Sequence, residues 1–189
     1  MSLSKRISTV GASATIAIST RAKEMKDAGQ DVVSFGAGEP DFDTPGFIKE
    51  ATKAALDAGD TKYTPRSASA LKAAIAEKLD RENGLKVDPS QVLVTFGGKN
   101  ALYNAFQVVL DPGDKVLIPA PYWTSYPEMV RLAEGEPVIL QAGRDQAFKI
   151  TPQQILDAAG DAKVLVLNSP SNPTGVTYTP DELKALAEA

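Results

Sequence analysis

From residue 91 onward, short apolar runs alternate with segments of helical character, and this alternation restricts the fold more than any other feature of the sequence. The predicted strands are QVLVTF (91–96), KVLIP (115–119), PVIL (137–140) and KVLVLN (163–168). Helices are predicted over 99–110, 122–133, 152–159 and from Pro180 onward. Such alternation favours right-handed crossovers and a mainly parallel sheet with helices on both faces. The sequence therefore predicts an α/β fold whose ligands bind at the carboxyl ends of the strands.

Helices also dominate the first 84 residues. They are predicted over 12–28, 44–59 and 69–83, with a short buried strand at DVVSF (31–35). Thr44 and Pro45 form a typical pair of helix cap and first-turn residue. The same Thr-Pro pair occurs at Thr151 and at Thr179, so we expect each of these threonines to cap a helix.

Two residue types are missing, and their absence excludes several kinds of chemistry. Without cysteine there is no disulfide or cysteine metal site, and without histidine there is no Ser-His-Asp relay. We expect no metal site, and chemistry must come from other side chains or a cofactor. The net charge of −4 gives no reason to expect nucleic acid, and no apolar run reaches the roughly 18 residues of a membrane span. The N-terminal residues are too polar for a secretory signal, so we expect a cytoplasmic protein.

The loop TFGGKN connects a predicted strand to a helix. Gly97 and Gly98 let the backbone approach a ligand closely, and the helix N-terminus and Lys99 suit a phosphate. A Walker A loop is excluded because Leu93 stands where its first glycine would be. A plain tight turn explains these glycines equally well.

Two further loops follow predicted strands. In PAPYWTSYP, Trp123 can stack on a flat ring, although aromatic packing onto the helix layer is the simpler reading. In NSPSNPTG (168–175), Asn172 precedes Pro173 and is therefore biased towards an extended conformation, which directs its amide. An ordinary turn remains an alternative for this loop.

A nicotinamide-binding loop is disfavoured at FGAGEPDFDTP. Gly36 and Gly38 follow a predicted strand, but the third glycine of the dinucleotide fingerprint is replaced by Asp41. Pro40 would also disrupt the opening of the following helix.

Taken together, the ordered motifs resemble the class I, fold-type I aminotransferases that depend on pyridoxal 5′-phosphate. The motifs are GAGEPDFDTP, KYTP, GGKNALYNAF, DPGDKVLIPAPYWTSYPEMV and NSPSNPTG. Within the family the sequence is most similar to bacterial aspartate aminotransferases. The resemblance implies that residues 1–43 contribute to a small domain and the active-site entrance. It implies that 44–189 form the N-terminal part of a large cofactor-binding domain.

The resemblance also implies roles for individual residues. The cofactor-binding positions are Gly98 and Lys99 at the phosphate, Trp123 on the pyridine ring, Asn172 at the phenolic oxygen, and Tyr63, which reaches the cofactor phosphate of a partner subunit. The substrate-binding positions are Gly38, Ser13, Thr15, Lys99, Trp123 and Asn172, of which Ser13, Thr15 and Lys99 are associated with an acidic side chain. These roles imply a homodimer acting on amino acids and 2-oxo acids.

Some parts of the family pattern are missing from the sequence. The lysine that forms the cofactor imine, an aspartate and an arginine are expected after NPTG, whereas Lys184 is the only lysine in residues 176–189. We therefore expect no catalytic residue in this chain, an imine lysine beyond Ala189, and a chain that is inactive alone as part of a longer protein. The segment Arg66 to Ala70 is also about one residue shorter than the family pattern.

Several functions remain open at this stage. The leading hypothesis is transfer of an amino group between aspartate, or a related amino acid, and a 2-oxo acid. Alternatives are an aromatic or prephenate aminotransferase or a lyase of the same fold, and a non-catalytic α/β fragment that pairs with itself or with a missing half.

Overall fold

The computed structural model describes residues 3–36, 38, 40–63 and 65–189, without the side chains of 65–67. These residues form two compact units. One contains the N-terminal residues up to Ala14 together with Gly97–Ala189, and the other is Thr15–Phe96. The predicted division at residue 43 is of a different kind, because it assigns residues 1–43 and 44–189 to the domains of a larger enzyme. That division stays a prediction.

The unit Thr15–Phe96 is helical. It contains α1 (Ala14–Asp27, which begins one residue earlier), α2 (Gly46–Asp57), α3 (Pro65–Asn83) and a 3-10 turn (Pro89–Gln91). The Asp88 side chain caps that turn by accepting a hydrogen bond from the Ser90 N–H at 2.8 Å. The prediction that Thr44 caps α2 is wrong: the capping position is Pro45, one residue later, and no side-chain hydrogen bond is made there.

Two predicted strands are also wrong. Residues 31–35 and 92–95 have no regular structure, and neither segment belongs to the described sheet. A strand depends on neighbours that accept and donate its backbone hydrogen bonds, so an apolar run is not sufficient. Their apolar side chains Val33, Leu93 and Phe96 are exposed rather than buried between layers.

The other unit is built on a parallel sheet, as the alternating pattern predicts. Its strands are β1 (Lys115–Ala120), β2 (Glu136–Gln141) and β3 (Ala162–Leu165), in the order β2-β1-β3. In the central strand, Leu117 lies opposite Val138 of β2 and Leu165 of β3. β3 ends at Leu165, three residues earlier than predicted, and beyond it the Asn168 side chain accepts a hydrogen bond from the Asn172 N–H.

Four helices and two short 3-10 turns complete this unit. The helices are α4 (Gly97–Val109), α5 (Ser125–Leu132), α6 (Pro152–Ala159) and α7 (Pro180–Glu188), and the turns are Lys5–Thr9 and Arg144–Gln146. The predicted caps at Thr151 and Thr179 are confirmed, because each forms a capping box with the residue three positions later. α5 begins three residues later than the predicted Tyr122, after a loop that leaves β1.

Successive residues of β1 face two different hydrophobic clusters, as the two-residue period of a strand requires. Val116 and Ile118 pack on one side with Phe106, Tyr126, Met129 and Val130 of α4 and α5. Leu117 packs on the other side in a cluster with Leu140, Ile150, Ile155 and Leu186. Helices therefore cover both faces of the sheet, which confirms the α/β prediction.

Ion pairs occupy the amino edge of the sheet, where β1 and β3 begin. Lys163 lies 2.7 Å from Asp114 and 3.3 Å from Asp111, and Lys115 lies 2.8 Å from Asp161. The hydrogen bond from Lys163 lowers the pKa of Asp114, and the hydrogen bond from Lys115 lowers the pKa of Asp161. Opposite charges thus meet at this edge.

Candidate functional site

The loops that follow β1 and β3 meet at the carboxyl edge of the sheet. The two strands are direct neighbours, and the Val166 N–H extends their pairing by donating to the Leu117 carbonyl oxygen at 2.9 Å. The loop after β1 carries Tyr122 and Trp123, and the loop after β3 is NSPSNPTG. The topology therefore brings two of the three predicted ligand loops together.

The NSPSNPTG loop is held by its own hydrogen bonds. Asn168 Oδ1 accepts from the Asn172 N–H at 2.8 Å, and the Gly175 N–H donates to the Ser171 carbonyl at 2.8 Å. Gly175 has a φ of +72°, which favours glycine at this position. These bonds fix the backbone at Asn172, whose side chain is exposed.

The third loop, GGK, opens α4. Gly97 has a φ of +78°, a left-handed conformation that glycine adopts without a steric penalty. Two residues on, Lys99 Nζ lies 5.1 Å from the centroid of the Trp123 ring, which is a cation–π distance. The structure therefore brings Lys99 and Trp123 together, as the resemblance implies.

Trp123 also packs against Tyr126 of α5. The two rings are 5.3 Å apart and perpendicular, which is a favourable edge-to-face arrangement. Burial raises the pKa of Tyr126, so its phenol stays protonated well into the alkaline range. The indole at the sheet edge is thus held by a neutral aromatic neighbour.

A small cavity lies beneath these loops. Its volume is about 20 Å³, and its walls include Tyr122, Tyr126, Phe148, Asn168 and Asn172. That space is close to the volume that one water molecule needs, so an organic cofactor does not fit inside it. Lys99 and Asn172 are both exposed, so each is open to a ligand that is larger than this cavity.

The exposed groups of these loops have the chemistry that a flat, phosphorylated ring requires. The first turn of α4 presents backbone N–H groups, and a Cβ built on Gly98 meets no atom within 4 Å, so an anion has room to approach. The Lys99 ammonium adds positive charge, the Trp123 ring offers an apolar face, and the Asn172 amide is a neutral donor. Pyridoxal phosphate has the matching phosphate, ring and phenolic oxygen.

Four other predicted residues are described without forming part of this arrangement. Ser13 is exposed in the N-terminal segment of the same unit, and Thr15, Gly38 and Tyr63 are exposed in the unit Thr15–Phe96. Their roles stay predictions. Parts of the motifs around them, Ala37, Glu39 and Thr64, lie outside the described residues, as do the side chains of Arg66 and Ser67 in the shortened segment.

Sequence reasoning missed three residues that support the site. Glu128 of α5 accepts a hydrogen bond from the Gly11 N–H at 3.1 Å, which ties the segment carrying Ser13 to α5. The Tyr178 hydroxyl accepts from the Ile150 N–H at 3.0 Å, and Phe148 lines the small cavity. Tyr178 could have been noticed as an aromatic residue close to the NPTG motif. The contacts themselves join residues that are distant in sequence, so no local pattern reveals them.

Other kinds of site find no support in the described ranges. They contain no cluster of acidic residues arranged to hold a metal ion. None of their helices combines the length and apolar character that crossing a membrane requires.

The chain matches the model of the class I and II aminotransferases over residues 30–189. It belongs to this family. It is 51% identical to an aspartate aminotransferase of Bacillus subtilis over 100% of this chain and 48% of that protein. It is 55% identical to an aspartate/prephenate aminotransferase of Cereibacter sphaeroides over 98% of this chain and 47% of that protein. The chain thus spans about half the length of these curated relatives.

A shorter relative and a solved structure extend the comparison. A probable aspartate aminotransferase of Streptomyces griseus is 47% identical over 97% of this chain and 87% of that protein. The structure of a Thermus thermophilus aspartate aminotransferase with maleate superposes with a TM-score of 0.93 at 47% identity, covering 100% of this chain and 50% of that one. The aminotransferase fold of this chain is therefore a partial fold-type I domain.

Proposed function

We propose that this chain forms one side of the pyridoxal-phosphate site of an enzyme that transfers amino groups between aspartate, or a related amino acid, and 2-oxo acids. The family and the names of its relatives support the reaction class. The observation that carries the proposal is the Lys99 ammonium, held 5.1 Å from the Trp123 ring at the start of α4. A cation suited to a phosphate and an aromatic face suited to a flat ring thus lie close together, which supports the proposal.

Each group has a separate task in this proposal. The N–H groups of the first α4 turn, at Gly98 and Lys99, bind the cofactor phosphate, and Trp123 orients the ring by stacking. Asn172 donates a hydrogen bond to the phenolic oxygen without adding charge. When bound, the cofactor supplies the aldehyde that takes up an amino group and the ring that accepts electron density.

Substrate recognition and assembly extend the proposal to residues outside this arrangement. Ser13, Thr15 and Lys99 recognise an acidic side chain, Gly38 contacts substrate through its backbone, and Trp123 and Asn172 border the substrate. Tyr63 reaches the cofactor phosphate of a second subunit in a homodimer, and its fully exposed side chain is compatible with that role. A cytoplasmic location stays a prediction.

We infer that the 189-residue chain does not transaminate by itself. Lys184, the only lysine after Gly175, lies on α7 with 74% of its side chain exposed and 3.8 Å from Glu188. A solvated lysine on a helix surface has neither the burial nor the neighbours that activate an amine. Activity of the isolated chain with aspartate would contradict this inference.

Titration with cofactor analogues tests the binding proposal. Trp123 is the only tryptophan, so its fluorescence reports ligand at the site. Pyridoxine 5′-phosphate is the sharper probe, because it lacks the aldehyde that would attach to surface lysines. We expect it to quench Trp123 and to bind about tenfold or more tightly than pyridoxine, which lacks the charged phosphate. Equal binding of the two compounds contradicts a phosphate site.

A pair of glycine substitutions supplies the matched control. Gly98→Ala places a methyl group where the phosphate would approach the first turn of α4. Gly46→Ala adds the same methyl group at the first residue of α2, where no ligand is proposed. Neither added Cβ meets an atom within 4 Å, so both variants should fold normally. Only Gly98→Ala should weaken the binding of pyridoxine 5′-phosphate. A folded wild-type chain that binds no analogue would favour the non-catalytic alternative.

A prephenate or aromatic aminotransferase is the second candidate function. The 55% identical relative from Cereibacter sphaeroides carries the name aspartate/prephenate aminotransferase, which favours this alternative specifically. Kinetics of the whole protein with aspartate, phenylalanine and prephenate as competing substrates separate the two. The leading proposal expects the largest kcat/KM with the acidic substrate pair.

A further inference from the structure

The turn that precedes α6 holds two consecutive residues in left-handed backbone conformations. Ala147 has a φ of +51° and Phe148 a φ of +58°. Non-glycine residues seldom adopt this region, and a bulky side chain there is a clear outlier. Such conformations persist only where surrounding contacts over-determine them, and they concentrate at functional sites.

Backbone hydrogen bonds hold this turn closed. The Ala147 N–H donates to the Arg144 carbonyl at 3.1 Å, and the Phe148 N–H donates to the Gly143 carbonyl at 2.9 Å. The Lys149 N–H donates in turn to the Gln146 carbonyl at 3.0 Å. Three successive N–H groups are thus hydrogen-bonded inside one short turn. These bonds fix the backbone at Phe148 and therefore the point from which its side chain leaves the turn.

The turn is also tied to both strand-end loops. Just before it, the Ala142 N–H donates to the carbonyl of Ala120, the last residue of β1, at 3.1 Å. Just after it, the Ile150 N–H donates to the Tyr178 hydroxyl at 3.0 Å, three residues beyond the NSPSNPTG loop. The Phe148 ring therefore lies on a segment whose two ends are attached to the two walls of the candidate site.

Phe148 reaches the small cavity between these walls. It lines that cavity together with Tyr122 of the loop after β1 and with Asn168 and Asn172 of the NSPSNPTG loop. Asn168 is the residue whose side chain accepts from the Asn172 N–H. Removing the ring would enlarge the cavity that Asn168 and Asn172, the two residues joined by this hydrogen bond, also line.

We propose that Phe148 is a positioning residue for Asn172, and that the left-handed turn exists to press its ring against the NSPSNPTG loop. The ring supports the Asn168–Asn172 hydrogen bond from behind, and it contacts no ligand itself. The importance of this support for cofactor binding rests on the proposed function. The support itself is a property of the protein without any ligand, so the two can be tested separately.

Amide hydrogen exchange, measured residue by residue by NMR, tests the support. In Phe148→Ala we expect the Asn172 and Gly175 amides to exchange about tenfold faster than in wild type, whereas β1 amides such as Ile118 change far less. Leu183→Ala is the matched control, because Leu183 and Phe148 are both 37% exposed and both belong to the same unit. It should leave the loop amides unchanged.

Two results would overturn the proposal. One is wild-type exchange at Asn172 and Gly175 in Phe148→Ala, and the other is an equal acceleration of all amides, which would indicate a general loss of stability. Should Phe148→Ala fail to fold, Phe148→Leu keeps most of the apolar volume, and it must show the same local pattern at smaller amplitude.

Binding of pyridoxine 5′-phosphate provides the second readout. We expect Phe148→Ala to bind it about tenfold more weakly than wild type and Phe148→Leu to recover part of the affinity. A wild-type chain that does not bind the analogue would refute the proposed function, and the exchange data would still decide the role of Phe148. Faster loop exchange with unchanged affinity would refute the link between that support and the cofactor.

Discussion

The two compact units contain helices of similar regularity, yet they differ in how those helices are buried. In the unit with Gly97–Ala189, helices cover both faces of a parallel sheet, and nearly all the buried apolar residues of the described chain lie there. Among the described residues of Thr15–Phe96 only Ala76 is buried, whereas Phe35, Phe42 and Phe47 are exposed. Periodicity and caps are therefore enough to specify helices, but a core requires layers that face each other.

The exposed apolar surface of Thr15–Phe96 is organised rather than scattered. An apolar cavity of about 440 Å³ is lined by Ile18 and Met25 of α1 and by Val33 and Phe35. The apolar side chains of α1 thus line an open groove together with Val33 and Phe35, instead of packing into a core.

The largest expected effect on stability comes from replacing one leucine with alanine in each unit. Leu117 of β1 is 3% exposed and Leu56 of α2 is 57% exposed. We expect Leu117→Ala to lower the free energy of unfolding by about 3 kcal/mol, since it leaves a cavity in the core. Leu56→Ala should cost less than about 1 kcal/mol. Urea unfolding followed by circular dichroism measures both, and equal losses would show that the comparison is wrong.

Helix caps provide the next test. Thr179 accepts a hydrogen bond from the Glu182 N–H at 3.2 Å, so Thr179→Ala should destabilise the unit with Gly97–Ala189 by about 1 kcal/mol. Thr44 precedes α2 without capping it, and Thr44→Ala should stay within about 0.5 kcal/mol of wild type. Urea midpoints of the two variants decide the matter. A larger loss of stability in Thr44→Ala than in Thr179→Ala would support the prediction that Thr44 caps α2.

The smallest expected effect concerns acid stability. The Lys149 hydrogen bond lowers the pKa of Glu182 below its ordinary 4.5, and the Lys49 hydrogen bond lowers the pKa of Asp43. A carboxylate whose pKa is lowered on folding stabilises the fold above its unfolded pKa and loses that contribution as pH falls through the folded pKa. The Tm advantage of wild type over Glu182→Gln should therefore shrink below about pH 4.5.

The matched variant is Asp43→Asn in the other unit. Lys149 and Glu182 are the less exposed pair, so water and salt screen them less than they screen Asp43 and Lys49. The Tm change in Glu182→Gln should exceed that in Asp43→Asn and persist better in added salt. Glutamine can retain the capping hydrogen bond to the Thr179 N–H, which isolates the effect of charge.

The fold was predictable from the sequence where the signals were local. The parallel sheet and the caps at Thr151 and Thr179 follow from neighbouring residues, and both are confirmed. The apolar runs at 31–35 and 91–96 were misread because strand pairing depends on a distant partner. Thr44 was misread because a Thr-Pro pair shows only that a cap is possible, and the helix began one residue too late to use it.

The candidate site divides in the same way. Trp123 could be placed at the carboxyl edge from the sequence, since it follows a predicted strand that the structure contains, whereas the strand predicted before Lys99 is not part of the sheet. Phe148 and Glu128 could not be found from the sequence, because Phe148 shares a cavity with the distant Asn172 and Glu128 bonds the distant Gly11, which no local pattern records. The left-handed turn at Ala147 has no glycine to reveal it.

The ion pairs at the amino edge of the sheet make the two edges unequal as electrostatic surfaces. Lys115 and Lys163 face aspartates, so their fields are largely cancelled close to the protein. Lys99, at the opposite edge, faces an aromatic ring. We expect Lys99 to attract a diffusing anion to the carboxyl edge, and this attraction should weaken once added salt reduces the Debye length to about 8 Å or less.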